Sequence, residues 1–367
     1  MTLISRAAAG FVAVWAACMA CAVQAQSTSS VTLYGVVDLS VGGISSQNDG
    51  TSLKMLSGVQ SGSRWGLRGS EDLGGGTRAN FVLESGFLAN EGRSAQGSRL
   101  FGRAAWLGLS GDWGEWRLGR QTSASSLTLA DFDAFLGSYL ITGAQTTLLP
   151  YNANRSDNTL AYWTPTIGGL RAGVDYSFSY DGQGYRTPAS SKLMSGALVY
   201  DRDAFALTAT YEGAHWGQGT TQEAAMRAAG GDEQPYAATL AGKWRLNPIT
   251  LYAAWSMMRN GSTIPGVISP GQRAYFPGST VDGAMVGAAW RIGAGTVLAS
   301  WQASMPRSSG ALARDDATHS QQVYSIGYGY DLTKRTNLYA IYGYVNGAWH
   351  DADWHESQYA AGIRHRF

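Results

Sequence analysis

Between residues 169 and 180 the chain reads Gly-Leu-Arg-Ala-Gly-Val-Asp-Tyr-Ser-Phe-Ser-Tyr. One set of alternate positions, from Leu170 to Tyr180, is apolar or aromatic, whereas the other set, from Arg171 to Ser179, is small, polar or charged. Successive side chains of a β-strand point to opposite faces of the sheet. The stretch therefore predicts a long strand with one apolar face and one polar face.

The same alternation recurs along the chain, with clear examples in residues 204–212, 236–246 and 296–305. Alternating segments of about ten residues are typical of transmembrane barrels, whereas the strands of a soluble β-sandwich, the alternative fold, usually have about five or six. The sequence therefore favours an all-β, 16-stranded antiparallel transmembrane β-barrel over the sandwich. The predicted strands are 31–43, 62–71, 77–87, 99–110, 114–121, 157–165, 168–180, 191–200, 203–213, 235–246, 249–259, 281–291, 295–305, 321–331, 335–346 and 356–367.

The connections between these strands alternate between short and long. Residues 201–202 and 247–248 are short connections, whereas 122–156 and 260–280 are long ones. Outer-membrane barrels have short periplasmic turns and longer outer loops. We therefore expect both chain termini on the periplasmic side of a membrane.

The first 25 residues have the three parts of an export signal, namely a positive start, an apolar run over 7–23 and small residues before a cleavage site. We interpret 1–25 as a signal peptide and 26–367 as the barrel, with a membrane-anchoring helix or a lipoprotein signal as the alternatives. Both cysteines, Cys18 and Cys21, fall in the signal. The mature chain is therefore expected to have no disulfide.

The charge balance excludes two classes of protein. Only 14% of the residues are charged, and 27 Lys and Arg residues oppose 26 Asp and Glu residues. Low charge argues against a disordered charged tail, and the absence of a basic excess argues against a nucleic-acid partner.

Several stretches resemble the general porins of Gram-negative bacteria. Residues 31–38 resemble the first strand of these proteins, and residues 63–76 are similar to their second strand and first turn. Residues 81–87, 99–103 and 118–121 follow in the family's order. The resemblance, which matches best the trimeric porins of β-proteobacteria, implies a homotrimer of barrels in the lipid of the outer membrane. Each barrel would hold a water-filled channel for small hydrophilic solutes and ions, and a barrel of about sixteen strands is wide enough for one.

The connection 122–156 is long enough to indicate a functional loop. In the resembled family this third loop folds inward and narrows the channel. Phe132, Phe135, Leu136, Tyr139 and Leu140 have helical spacing, so we predict a short helix whose apolar stripe rests on the inner wall. Asp131 and Asp133 would then face the channel. The alternative is a surface loop with a solvated acidic pair.

The resemblance also implies a ladder of arginines opposite this loop. The matching residues are Arg64, Arg103 and Arg155, and Arg68 shares the polar parity of Arg64. The assignment of Arg103 requires Trp106 to take the outer face, because Leu107 has the same parity as Arg103. Fixed charges on opposite sides of a narrow neck select the sign of permeating ions, so we expect a weak anion preference. Two observations weaken this expectation: Val36 stands where the family often has a basic residue, and arginines can instead pair with carboxylates to hold the loop.

Three further residues have expected roles in assembly. Arg120 shares the outward parity of Leu118, and in the resembled porins this region lies at the trimer contact, where Glu91 is a candidate partner. The alternative is that Arg120 extends to water at the outer rim. A terminal Phe367 on an alternating strand resembles the signal that outer-membrane barrels present to their assembly machinery.

Other functions are less well supported by the sequence. The His350–Glu356 stretch has no zinc spacing, so we expect no metal and no cofactor. We also expect no enzyme, because no pair of nucleophile and base is evident. The alternative function is a substrate-specific outer-membrane channel with a defined solute-binding site.

Overall fold

The computed structural model describes residues 29–46, 50–137, 140–148, 155–180, 187–228, 234–260, 280–308, 319–348 and 351–367. Almost all of its regular structure is β-strand. The strands are β1 Ser30–Ser46, β2 Gly50–Ser57, β3 Arg64–Gly74, β4 Thr77–Leu88, β5 Arg93–Ser94, β6 Ala104–Gly111, β7 Gly114–Thr122, β8 Arg155–Trp163, β9 Leu170–Ser177, β10 Lys192–Arg202, β11 Phe205–His215, β12 Tyr236–Leu246, β13 Ile249–Arg259, β14 Thr280–Ile292, β15 Gly295–Ser308, β16 Gln321–Asp331, β17 Thr336–Ala348 and β18 Asp351–Arg366.

The strands form one closed antiparallel barrel. β1 pairs with β18 through Val36 to Ser46 and with β3 through Ser30 to Val36, so the first strand closes the sheet on the last. β2 pairs with β1 in line with β3, and β5 is a two-residue strand beside β4, so the other sixteen strands make the wall. The predicted 16-stranded barrel is confirmed.

The terminal residue takes part in this closure. The backbone N–H groups of Gly35 and Phe367 each donate to the other residue's carbonyl oxygen at 3.1 Å. The Phe367 ring covers Gly35 so closely that a Cβ at that position would overlap it. Phe367 therefore completes the seam between the first and last strands, while its expected role in assembly stays a prediction.

The two faces of the wall differ as the alternation predicts. Along β9, Leu170 and Val174 are exposed, whereas Asp175 and Ser177, which belong to the other set of alternate positions, are buried. The same exposed rows of Leu, Ile, Val and aromatic side chains recur on most other strands of the wall. The apolar face is therefore the outside of the barrel, and the small and polar face lines its interior.

The largest differences from the predicted strands lie towards the long connections. Residues 44–61 were expected to be a loop, but β1 continues to Ser46 and returns as β2. β18 begins at Asp351 rather than at 356, whereas β6 begins only at Ala104. β2 has exposed side chains over most of both faces, so it lacks the alternation from which the strands in the wall were predicted.

Helical structure in the described part of the chain is confined to connections. It comprises the α-helices α1 Ala124–Leu129 and α2 Thr221–Ala228 and the 3₁₀ turns Ala130–Phe132 and Ala144–Thr146. None of these described helices has the length and apolar character required to cross a membrane. The predicted signal peptide, 1–25, lies outside the described residues.

Candidate functional site

The segment made up of residues 122–137 and 140–148 lies against the inner face of the wall, and two buried carboxylates hold its first turn. Asp175 of β9 accepts a hydrogen bond from the backbone N–H of Ala124 at 2.6 Å. Glu212 of β11 accepts one from the Ser123 hydroxyl at 2.7 Å and another from the Ser125 hydroxyl. These bonds fix the start of α1 to strands on one side of the barrel.

Apolar contacts continue this attachment around the barrel. Phe132 packs with Ala206 and Ala241, whereas Phe135 and Leu140 belong to a different cluster of buried side chains on the other side. That second cluster also contains Val59, Ala134, Tyr339, Ile341 and Ala360. The predicted contact of the apolar residues with the inner wall is confirmed for Phe132, Phe135 and Leu140.

The predicted helix over these residues is wrong. The α-helix ends at Leu129, before the apolar stripe, and Leu136 is exposed with a φ of 52°. Tyr139 lies outside the described residues. Ser123, whose side chain accepts from the Ser126 N–H, is the N-cap of α1 and is the local signal for where the helix begins.

The later part of the segment is fixed by two glutamines. Gln358 of β18 accepts a hydrogen bond from the Ile141 N–H at 3.1 Å. Gln302 of β15 donates to the Thr142 carbonyl at 2.8 Å and accepts from the Thr147 hydroxyl at 2.9 Å. The segment is therefore bonded to β9, β11, β15 and β18, and it crosses the interior of the barrel between them.

The two aspartates of this segment have different environments. Asp131 is exposed and lines a cavity between the segment and the wall. Asp133 is 1% exposed, and its carboxylate accepts from the N–H groups of Phe135 at 2.9 Å, Gly137 at 3.1 Å and Ala144 at 2.9 Å. The expectation that Asp133 presents its charge to the channel is therefore wrong, because the carboxylate closes a turn of its own loop.

Three of the four candidate arginines meet at one cavity of about 370 Å³. Arg64, Arg103 and Arg155 line it opposite Asp131, and Gln60 and Leu136 lie at its border. We call this cavity the neck. Arg68 is not among its lining residues; its guanidinium lies 5.4 Å from the ring centre of Tyr34.

Glu84 of β4 is a member of this site that the sequence analysis missed. Its carboxylate lies 2.6 Å from Arg103 Nε and 3.7 Å from Arg64 Nε, and it accepts from the Tyr34 hydroxyl at 2.8 Å. Arg64 also donates to the Gly62 carbonyl at 2.9 Å. A charged residue on the polar parity of a wall strand is the signal that identifies Glu84.

Arg103 reaches the interior for a different reason from the one expected. β6 begins at Ala104, and its exposed Leu107 and Leu109 point outward, so Trp106 lies on the inner face. Arg117 of β7 lies 4.7 Å from the centre of the Trp106 ring. The expectation that Trp106 takes the outer face is wrong. Arg103 precedes the strand, and its backbone N–H donates to the Glu84 carbonyl at 3.1 Å, so strand parity does not apply to it.

Arg120 and Glu91 both have partners within the chain. Arg120 donates to Asp157 at 2.6 Å and to the Gly102 carbonyl at 2.8 Å, and Asp157 also pairs with Arg99 at 2.7 Å. Glu91 accepts from Arg93 Nε at 2.7 Å. The expected contact between Arg120 and a neighbour's Glu91 stays a prediction.

Within the described ranges, no group of three or more His, Cys, Asp or Glu side chains is placed to hold a metal ion. His350 of the histidine-containing stretch lies outside those ranges.

Comparisons with known proteins match this chain to porins over most of its length. Residues 8–348 match the family model described as Gram-negative porin. An outer membrane porin protein of Bordetella pertussis is 32% identical over 94% of this chain and 96% of its own length.

Solved structures with the same fold include an anion-selective porin from Comamonas acidovorans, with a TM-score of 0.72, 24% identity and coverage of 92% of this chain and 100% of that one. They also include the trimer form of OmpT from Vibrio cholerae, with a TM-score of 0.64, 14% identity and coverage of 92% and 99%.

Proposed function

Because the chain belongs to the Gram-negative porin family and is a channel of the outer membrane, we propose that it is a general-diffusion pore with a weak anion preference. Its solutes are small hydrophilic molecules and ions. The observation that carries the preference is the convergence of Arg64, Arg103 and Arg155 on the neck. The structural neighbour from Comamonas is itself described as anion-selective, which agrees with this proposal.

The preference is weak because acids accompany the arginines. Glu84 offsets part of the charge of Arg103 and Arg64, and Asp131 stands across the cavity from them. Opposed fixed charges in a narrow passage produce a field across it, which acts more strongly there than in bulk water. Anions are then attracted to the arginine side of the neck. Cations are repelled from that side but still pass through the neck.

The proposal includes a homotrimer, of which Arg120 and Glu91 are the expected contact residues. One similar solved structure is a trimer form. In this chain Arg99, Asp157 and Arg120 form an ion-paired group by β7, where Leu118 marks the outward face. Charged groups facing lipid are unfavourable, so cover by a neighbouring barrel suits this group. Residues 1–25 would direct export and be removed.

The test is the reversal potential of single channels in planar bilayers of uncharged lipid under a KCl gradient. We expect the sign that indicates chloride preference. A unit charge about 8 Å from an ion in water contributes about 0.5 kcal/mol, and about half of that in 0.1 M salt. Because the charge acts with opposite sign on chloride and potassium, it changes their permeability ratio about twofold. The double variant Arg64→Ser/Arg103→Ser should therefore lower the chloride-to-potassium permeability ratio about fivefold.

The matched control is Arg202→Ser, which removes an exposed arginine at a short turn away from the neck. It should leave the ratio unchanged. A cationic reversal potential in the unaltered protein would contradict the anion preference, and an unshifted double variant would show that the arginines are misassigned. Block of the current by one uncharged solute at low concentration would indicate a substrate-specific channel instead.

A further inference from the structure

A second group of basic residues lies at the short-turn end of the barrel. Arg291 lies one residue before the end of β14, Lys334 and Arg335 lie in the turn before β17, and Arg364 and Arg366 lie in the last three residues of β18. They line a cavity of about 350 Å³, which we call the mouth. Among the described residues that line it, Asp331 is the one carboxylate against these five cations.

Pairing within the wall brings these residues together. β17 follows β16 through the turn that carries Lys334 and Arg335, and it pairs with β18 so that Asn337 opposes Arg364. Arg291 reaches across the end of β15, and its Nη1 lies 3.2 Å from the Asp331 carboxylate. The cluster is therefore fixed by the register of five consecutive strands, β14 to β18.

Arg364 is held in a defined position. Its Nε donates to the Asn337 side-chain oxygen at 3.0 Å, and the Asn337 amide donates to Gln60 at 2.9 Å. Gln60 also lines the neck. A chain of hydrogen bonds therefore connects a mouth arginine to the edge of the neck.

The mouth opens to the channel interior. Arg364 and Arg366 oppose Asp38 and Val36 of β1, whose side chains lie on the inner parity. A cavity of about 270 Å³ shares Arg291 and Arg364 with the mouth and shares Gln60 and Leu136 with the neck. The three cavities therefore lie next to one another along the inner wall, so the mouth belongs to the side of the wall that dissolved solutes reach and not to the outer face that meets lipid.

We propose that the mouth binds phosphate-type oxyanions that carry two or more negative charges. Guanidinium groups match phosphate oxygens with paired hydrogen bonds, and four of the five cations are arginines. A multivalent anion relieves the mutual repulsion of these cations better than chloride does. Such anions are retained beside the permeation path, whereas monovalent ions and uncharged solutes pass.

The test uses inorganic pyrophosphate as the probe and the chloride current through channels in phosphatidylcholine bilayers as the readout. Pyrophosphate added in micromolar to millimolar steps should reduce the current in a saturable manner to a plateau above zero, because the bound anion repels chloride without closing the mouth. The double variant Arg335→Gln/Arg366→Gln should raise the half-blocking concentration at least about tenfold, as expected when two phosphate contacts of this strength are lost. The control Arg202→Gln, at another short turn, should not change it.

Two outcomes overturn the proposal. One is a half-blocking concentration that is equal in the double variant and the unaltered protein. The other is a block that weakens in Arg64→Ser/Arg103→Ser but not in Arg335→Gln/Arg366→Gln, which would place the anion in the neck. If the double variant does not insert, Lys334→Gln in the turn gives the same comparison, with a smaller increase expected.

The readout separates this proposal from the anion preference of the pore. A cationic reversal potential in KCl together with a pyrophosphate block that depends on Arg335 and Arg366 would contradict the preference and support the mouth site. An anionic reversal potential with no pyrophosphate block would support the preference and contradict the mouth site.

Discussion

The neck and the mouth of the channel use similar charged side chains in different proportions. At the neck three arginines lie with three carboxylates, those of Glu84, Asp131 and Asp133, whereas at the mouth the described lining residues include five cations and the single carboxylate of Asp331. Two of the neck carboxylates also have hydrogen-bond partners nearby. Asp133 accepts hydrogen bonds from three backbone N–H groups, and Glu84 accepts from Arg103 and Tyr34.

This difference indicates that charge holds the structure in place at the neck and attracts anions at the mouth. Balanced and bonded charges at the neck fix the positions of the loop and the arginines, so that the passage has a defined width and a field across it. The unbalanced charges at the mouth leave a net positive potential for solutes. We therefore expect neck substitutions to change the width and the ion selectivity of the passage, and mouth substitutions to change which anions are bound beside it.

The largest effect should come from Asp133→Ala, which removes the acceptor of three backbone N–H groups. Each buried donor left without a partner costs about 1–3 kcal/mol. The turn from Phe135 to Ala144 should open, and the loop should be cleaved faster by protease while the barrel stays folded. Single-channel conductance should become larger and noisier.

The matched control for this change is Asp131→Ala, two residues earlier and exposed. This control also removes one carboxylate, but it does not remove a hydrogen bond that closes the turn. Equal protease sensitivity and equal conductance in the two variants would show that the Asp133 bonds do not define the neck.

A smaller effect, of opposite sign to arginine removal, should follow from Glu84→Gln. The change removes one negative charge beside Arg103 and Arg64 and keeps an oxygen for the Tyr34 hydroxyl. One charge at about 8 Å corresponds to about a twofold rise in the chloride-to-potassium ratio. Reversal potentials in a KCl gradient measure it.

The control for Glu84→Gln is Glu115→Gln, which breaks a similar pair with Arg117 beside a short turn. It should shift the ratio less, because the passage is wider away from the neck. A fall in the ratio for Glu84→Gln would mean that Glu84 mainly positions the arginines and that their charge acts only when they are so held.

The sequence predicted the wall because each strand carries its own signal. In β9, Leu170 and Val174 must meet lipid and Asp175 must not, and this requirement is visible without knowledge of any partner strand. β2 was missed because its side chains are exposed on both faces, so nothing enforces alternation there.

The site was predicted less completely because its contacts are not local. The polar parity of Arg64 was evident, but the partnership with Glu84 depends on the register of β3 against β4 and on where β6 begins. Asp133 was placed in the channel because a helix was assumed for its loop, whereas the actual turn buries it. The mouth was not recognised at all, since its residues come from three separate parts of the sequence.

The smallest expected effect concerns the charges at the mouth, and it is compared with the effect of the neck charges at two salt concentrations. Arg335→Gln/Arg366→Gln removes two charges from the wide mouth, where a passing monovalent ion is more than about 10 Å away and the Debye length at 0.1 M salt is about 10 Å. The chloride-to-potassium ratio should therefore fall by less than about twofold for each charge removed in 0.1 M KCl and should not change in 1 M KCl, where the Debye length is about 3 Å. Arg64→Ser/Arg103→Ser should lower the ratio at both concentrations, because ions pass those charges at shorter distance and with less intervening water. Equal salt dependence of the two variants would mean that neck and mouth act on ions in the same way, and the distinction between a bonded neck and an open mouth would then fail.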